Sequence, residues 1–152
     1  MNIFEPDLHY DDTDPDGYRA GMYRFGKHIG ARRIGGSVYE IPQGQSVCPY
    51  HYELGDEEWL IVLAGRPTIR HSRGEDQLEP GDAVCFPEGP EGAHKVANDT
   101  GETVRVLMLS TLRMPAIAVY PDSDKVGVFP GHGLESAFYR RGETAGYFDG
   151  EV

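Results

Sequence analysis

The sequence predicts an all-β domain, an antiparallel sandwich or barrel. From about residue 36 to 113, short runs rich in β-branched and aromatic residues alternate with turn signals at close intervals. No apolar 3.6-residue periodicity of the helical kind lies between them. The 152 residues fit one ordinary domain, large enough to bury a core without a disulfide or a metal to fold it. With 20 Gly, 11 Pro, 39% apolar and 26% charged residues the chain is turn-rich and globular, which sets aside disorder, collagen and coiled coil.

The elements follow in order. Residues 1–35 form a polar N-terminal arm in which Asp11, Asp12, Asp14 and Asp16 crowd one loop. The core, 36–113, opens with a strand over Ser37–Ile41 that stops at Pro42, then a run from Ser46 to Glu53 that ends in Leu54-Gly55-Asp56. Glu58–Ala64 ends at Gly65-Arg66-Pro67, and Thr68–His71 meets Ser72-Arg73-Gly74-Glu75, which reads as a four-residue hairpin loop. Glu79-Pro80-Gly81-Asp82 places Pro and Gly where a type II turn needs them, ahead of a strand over Asp82–Phe86. Lys95–Ala97 precedes the turn at Asn98–Gly101, and Thr103–Thr111 is the longest β-branched-rich run. The extension over 114–152 holds one more strand, Ala116–Tyr120, and a tail too apolar for a free linker, expected to pack on the barrel or a partner subunit.

The strand at 58–64 carries Glu58, Leu60 and Val62 on one face and Trp59, Ile61 and Leu63 on the other. A strand apolar on both faces must be covered on both, by the arm, the tail or a second subunit.

Fourteen basic against 25 acidic residues give a net charge of −11. Such a surface repels phosphate backbones and anionic lipid, so no nucleic acid or membrane partner is expected, and highly anionic substrates are weakly disfavoured. The longest apolar run, Trp59–Ala64, is far too short to span a bilayer, and no secretory signal pattern opens the chain, so a cytoplasmic protein is expected. Cys48 and Cys85 form no CxxC pair and read as small buried hydrophobes.

One constellation carries chemistry. His51 and Glu53, at i and i+2 of a strand, leave the same face. Glu58, sharing its face with Leu60 and Val62, points into the core, where an ionised carboxylate needs a partner or a cation. His94 follows the turn at Pro87–Pro90. Two imidazoles with one or two carboxylates converging on an apolar cavity suit a divalent metal.

These residues resemble the cupin superfamily, and most closely its small single-domain bacterial conserved-barrel members. Gly44, His51-Tyr52-Glu53, Glu58 and Gly65 are similar to the first cupin motif; Gly81, Pro87-Glu88-Gly89, His94 and Asn98 are similar to the second. The resemblance implies a single jelly-roll β-barrel with N- and C-terminal extensions, often a homodimer, with a metal inside. It implies His51, Glu58 and His94 as metal ligands. The family's usual fourth ligand, a histidine, is replaced by Glu53, and the gap from Gly89 to His94 is longer than the usual pattern. Glu53 as a ligand makes the site harder, favouring Fe, Mn or Zn over copper; an unbound Glu53 is a candidate general base. Asn98 is expected to fix a turn and Glu57 to face solvent.

Other patterns carry less. Asp12–Gly17 mimics the start of a calcium loop, but Tyr23 stands where that loop needs its bidentate Glu. His9, His28, His71 and His132 lack partners at ligand spacing, Tyr50 and Tyr52 alternate away from His51, and no GxGxxG, Walker A or GxSxG pattern occurs. The expected function is a metal-dependent enzyme, an oxygenase, isomerase or lyase, acting on a small polar organic molecule within the barrel. The alternative is a non-catalytic small-ligand-binding or sensing module using the same metal.

Overall fold

The computed structural model describes residues 1–151. Its largest sheet has five antiparallel strands in the order β1 (Gly21–Arg24), β2 (Ile34–Ile41), β9 (Val104–Thr111), β4 (Glu58–Ala64) and β7 (Ala83–Phe86). A three-stranded sheet orders β6 (Gly74–Gln77), β5 (Thr68–His71) and β8 (His94–Ala97). A third orders β12 (Ala137–Arg140), β11 (Lys125–Phe129), β10 (Ala116–Tyr120) and β3 (Tyr52–Leu54). This is the jelly-roll barrel the strand pattern and the resemblance predict. No helix among the described residues is long and apolar enough to cross a membrane.

The core lies between the sheets. Ile41, Leu60, Val62, Val104 and Val106 of the large sheet meet Ile69 and Val96 of the small one, each at most 2% exposed. Register sets which residues share this inner face. Glu58 pairs with Ser110 and Ser110 with Gly35 in one row; Leu60, Met108, Ser37 and Arg24 form the next. Asn98, fully buried, closes the turn between β8 and β9: its amide donates to the carbonyls of Ile41 and Glu102, both at 2.7 Å, and its oxygen accepts from the Thr100 N–H at 2.9 Å.

The structure departs from the sequence reading in five places, the first being that the C-terminal extension carries β11 and β12 as well as the expected strand β10. The polar arm contributes a strand, β1, and is tied to the outer face through Glu40, which accepts from Tyr10 Oη (2.5 Å) and Arg105 Nε (2.6 Å). The run at Ser46–Glu53 is not one strand: Ser46 and His51 make isolated bridges to Ala97 and His94, and regular pairing begins at Tyr52. The loop after His71 is two residues long, since His71 pairs with Gly74 and β6 follows. Cys85 is exposed on the outer face opposite Trp59, not buried, and Cys48 is half-buried.

On that outer face Trp59 remains 45% exposed, its indole N–H donating to the exposed Glu57 at 2.8 Å. Beyond residue 114, β10 pairs with β3, and Arg70, stacked over Tyr50, holds Asp122 with both terminal guanidinium nitrogens.

Candidate metal centre

His51 and His94 are brought together by the backbone. Each donates its N–H to the other's carbonyl (3.1 and 2.8 Å), so they are directly opposed and their side chains leave on one face. Their ring centroids lie 4.8 Å apart. His94 is 1% exposed and stacks on Phe86 at 3.7 Å; His51, 7% exposed, stacks on Tyr120 at 5.8 Å.

The tautomers follow from the partners. His51 Nδ1 lies 3.0 Å from the Pro49 carbonyl and His94 Nδ1 lies 2.9 Å from the Gly92 carbonyl. A carbonyl only accepts, so each Nδ1 carries the proton and each Nε2 presents a lone pair. Gly92 is required for this: a Cβ there would fall 1.7 Å from the Pro87 carbonyl oxygen, so only glycine lets the loop fold back beneath His94.

Both lone pairs face Glu58. Its Oε2 lies 3.5 Å from His94 Nε2 and 3.8 Å from His51 Nε2. Glu58 Oε2 and His94 Nε2 are buried and have no hydrogen-bond partner. Three acceptors converging in a buried site, with donors on none of them, form an arrangement that costs free energy until a cation or proton enters. The ligand atoms of His51, Glu58 and His94 all lie within 4.8 Å of one another. This set fits a divalent metal, each His held through its second nitrogen as metal-binding imidazoles are.

Glu53 stands beside the trio. Its Oε1 is 3.7 Å from His51 Nε2, so it faces the same lone pair as Glu58, but it lies outside the compact three-residue cluster. Burial, then the neighbouring Glu58 and Asp56, push the Glu53 carboxyl up to about 7. Burial and Asp56 raise Glu58 to about 7 as well. Burial lowers His94 to about 3, helped by His51, and lowers His51 in the same direction. Every shift disfavours the charged form, as expected of ligands awaiting a cation.

The sequence reading missed three contributors. Asp56, 7% exposed, accepts from Thr111 Oγ1 (2.8 Å) and the Arg113 N–H (3.0 Å), pinning the turn that aims Glu58 inward. Tyr120 packs on His51 from the C-terminal extension. Tyr39 lines the cavity beside the centre, its hydroxyl pushed up to about 12 chiefly by burial.

A cavity of about 810 Å³ reaches the centre at His51 and Glu58 and is lined also by Tyr39, Met108, Gly35 and, where the lining is exposed to solvent, Arg24. Glu53 is not among its lining residues. The site is therefore a buried His-His-Glu cluster beside a ligand-sized cavity in a jelly-roll barrel, an arrangement that could hold a metal ion.

The cupin domain family matches residues 37–110, and the chain is a cupin-domain protein. No curated protein matches the sequence. Among solved structures, a protein from Acidithiobacillus ferrooxidans provisionally named a sugar phosphate isomerase is 24% identical, covering 93% of this chain and 88% of that one, with a TM-score of 0.80. A cupin-superfamily sugar phosphate isomerase from Silicibacter pomeroyi is 22% identical, covering 98% and 97%, with a TM-score of 0.81. The polyketide cyclase RemF from Streptomyces resistomycificus is 23% identical over 72% and 78%, with a TM-score of 0.59. At these identities the likeness establishes the shared fold.

Proposed function

We propose that the protein is a metal-dependent enzyme acting on a small oxygen-bearing organic molecule in the barrel cavity. His51, Glu58 and His94 would hold one divalent ion, Fe, Mn or Zn, with Glu53 as fourth ligand. The observation that carries this reading is the convergence of two imidazole lone pairs and an unpartnered carboxylate oxygen on one buried point. Once bound, such an ion polarises a substrate oxygen as a Lewis acid. The chain supplies the rest. Gly92 and Pro49 carbonyls fix the imidazoles, Phe86 and Tyr120 wall the centre, and the Tyr39 hydroxyl stays protonated and able to donate to a ligand oxygen.

Glu53 is assigned as a ligand because it faces the His51 lone pair and does not line the cavity. The resulting two-carboxylate set favours a hard divalent ion. The two whole-chain structural neighbours carry the name sugar phosphate isomerase, which makes aldose–ketose interconversion the first reaction to assay. Oxygen uptake is the second.

The test is Glu53→Gln. As a ligand variant it binds metal at least about tenfold more weakly than wild type and loses turnover in proportion. Wild-type metal affinity with turnover abolished would instead make Glu53 the proton acceptor. Metal-loaded wild type that binds small ligands but turns none over would favour a binding module.

We further propose that the working form is a cytoplasmic homodimer. The apolar outer face around Trp59 supports the second copy.

A further inference from the structure

We propose that the mouth of the cavity is an anion subsite, built by Arg24 and Lys27, that seats the phosphate group of a small phosphorylated substrate. The proposal rests on the metal-centre reading for the substrate's other end.

The first ground is charge placement. In a chain of net charge −11, the cavity that reaches the metal centre is also lined by Arg24, Lys27 and His28, while Asp14 is its one carboxylate besides Glu58. Among the described residues neither Arg24 nor Lys27 makes an ion pair, and the Arg24 guanidinium finds only the weak acceptor Met22 Sδ, at 3.4 Å. Both cations therefore stand open to a ligand over the cavity. Two cations match a dianion better than a single carboxylate, and a guanidinium presents the fork that phosphate oxygens accept.

The second ground is register. Arg24 pairs with Ser37 on β2, Ser37 with Met108 on β9, and Met108 with Leu60 on β4, one inner-face step from Glu58. Arg24 therefore stands three strand spacings from the metal-ligand strand, roughly 14 Å between backbones. Side chains reaching in from both ends would leave between them a span suited to a small phosphorylated molecule.

The third ground is the path between them. Gly35, in the row of Ser110 and Glu58, presents no side chain to the cavity; a Cβ there would come within 3.0 Å of Ser110 Oγ and 3.2 Å of Leu112. The overall acidity, which weakly disfavours anionic substrates, is an average over the chain; the cavity lining sets Arg24 and Lys27 against Asp14 and Glu58 and is close to neutral.

The experiment is calorimetric titration of the full-length, metal-stripped protein with inorganic phosphate, and with glycolate in parallel. Wild type binds phosphate, and more tightly than glycolate. The Arg24→Gln/Lys27→Gln double variant binds phosphate at least about tenfold more weakly, while its metal uptake stays at the wild-type level. Both side chains are exposed, and an unchanged melting temperature confirms the fold. Wild-type phosphate affinity in the double variant overturns the proposal. So does phosphate binding that is lost only in His94→Ala, or glycolate bound as tightly as phosphate. Because the protein is metal-free, a failure of the metal reading leaves the phosphate result standing. Normal metal uptake without phosphate binding sinks the subsite alone.

Discussion

At the residue scale, the centre is a set of groups each pushed away from its charged form. With His94 lowered to about 3 by burial and His51 lowered in the same direction, the protons that compete most with a metal toward neutral pH sit on Glu58 and Glu53, whose carboxyls burial pushes up to about 7. Raising the pH removes those protons, so metal affinity climbs up to about pH 7 and levels off above it. If both carboxylates bind, the climb approaches about two decades per pH unit; with Glu58 alone it is about one. Competitive titration with a metal-sensitive dye at stepped pH reads the slope. A flat profile would mean that neither carboxylate is displaced of its proton.

These side chains were legible in the sequence because a strand's two-residue alternation puts His51 and Glu53 on one face and a charged Glu58 amid Leu60 and Val62 demands a partner. Arg24 and Lys27 were not. They lie in a Gly- and Asp-rich stretch without alternation, and only the pairing of β1 with β2 brings them over the cavity.

At the element scale, the strands are short and their turns carry much of the order. Asn98 ties Ile41 on β2 to Glu102 before β9 from a fully buried position. Asn98→Ala removes the buried amide donor from the Ile41 carbonyl and the acceptor of the Thr100 N–H, and costs at least about 2 kcal/mol, visible as a lowered urea midpoint at unchanged slope. A variant as stable as wild type would show that water replaces the amide there.

The core strands β4, β5, β7, β8 and β9 match the reading within a residue, since β-branched runs bounded by Pro and Gly mark their own ends, whereas β2 begins three residues before Ser37, at Ile34. β6 was not. Its residues Gly74, Glu75, Asp76 and Gln77 are all exposed, and such a strand carries no apolar alternation to find. The segment 46–51 failed for the opposite reason. Its apolar residues read as strand, but Pro49 and the bends around it leave only the bridges that hold His51 against His94.

At the scale of the whole molecule, the outer face of the five-stranded sheet is covered only in part by the arm. Val38 there is fully buried, whereas Trp59 and Cys85 stay exposed. The same alternation that exposed the centre's logic showed that this strand is apolar on both faces, but not what covers the second. A dimer through that face predicts that Trp59→Lys sediments as a monomer where wild type sediments as a dimer, with metal content unchanged. Identical sedimentation of the two proteins would remove Trp59 from any interface.

The central claim is that Glu58 and the two histidines hold a cation, and metal content of wild type against Glu58→Gln tests it most directly. Purified without chelator or His-tag and reloaded with Fe(II), Mn(II) or Zn(II), wild type should carry about one ion per chain and Glu58→Gln essentially none. In the same samples stripped of metal, the amide of Glu58→Gln can donate to an Nε2 lone pair that otherwise has no partner. The variant should then melt higher than metal-free wild type at pH 8, by the equivalent of about 1–2 kcal/mol. Metal bound equally by both proteins, or by neither after reloading, would contradict the account.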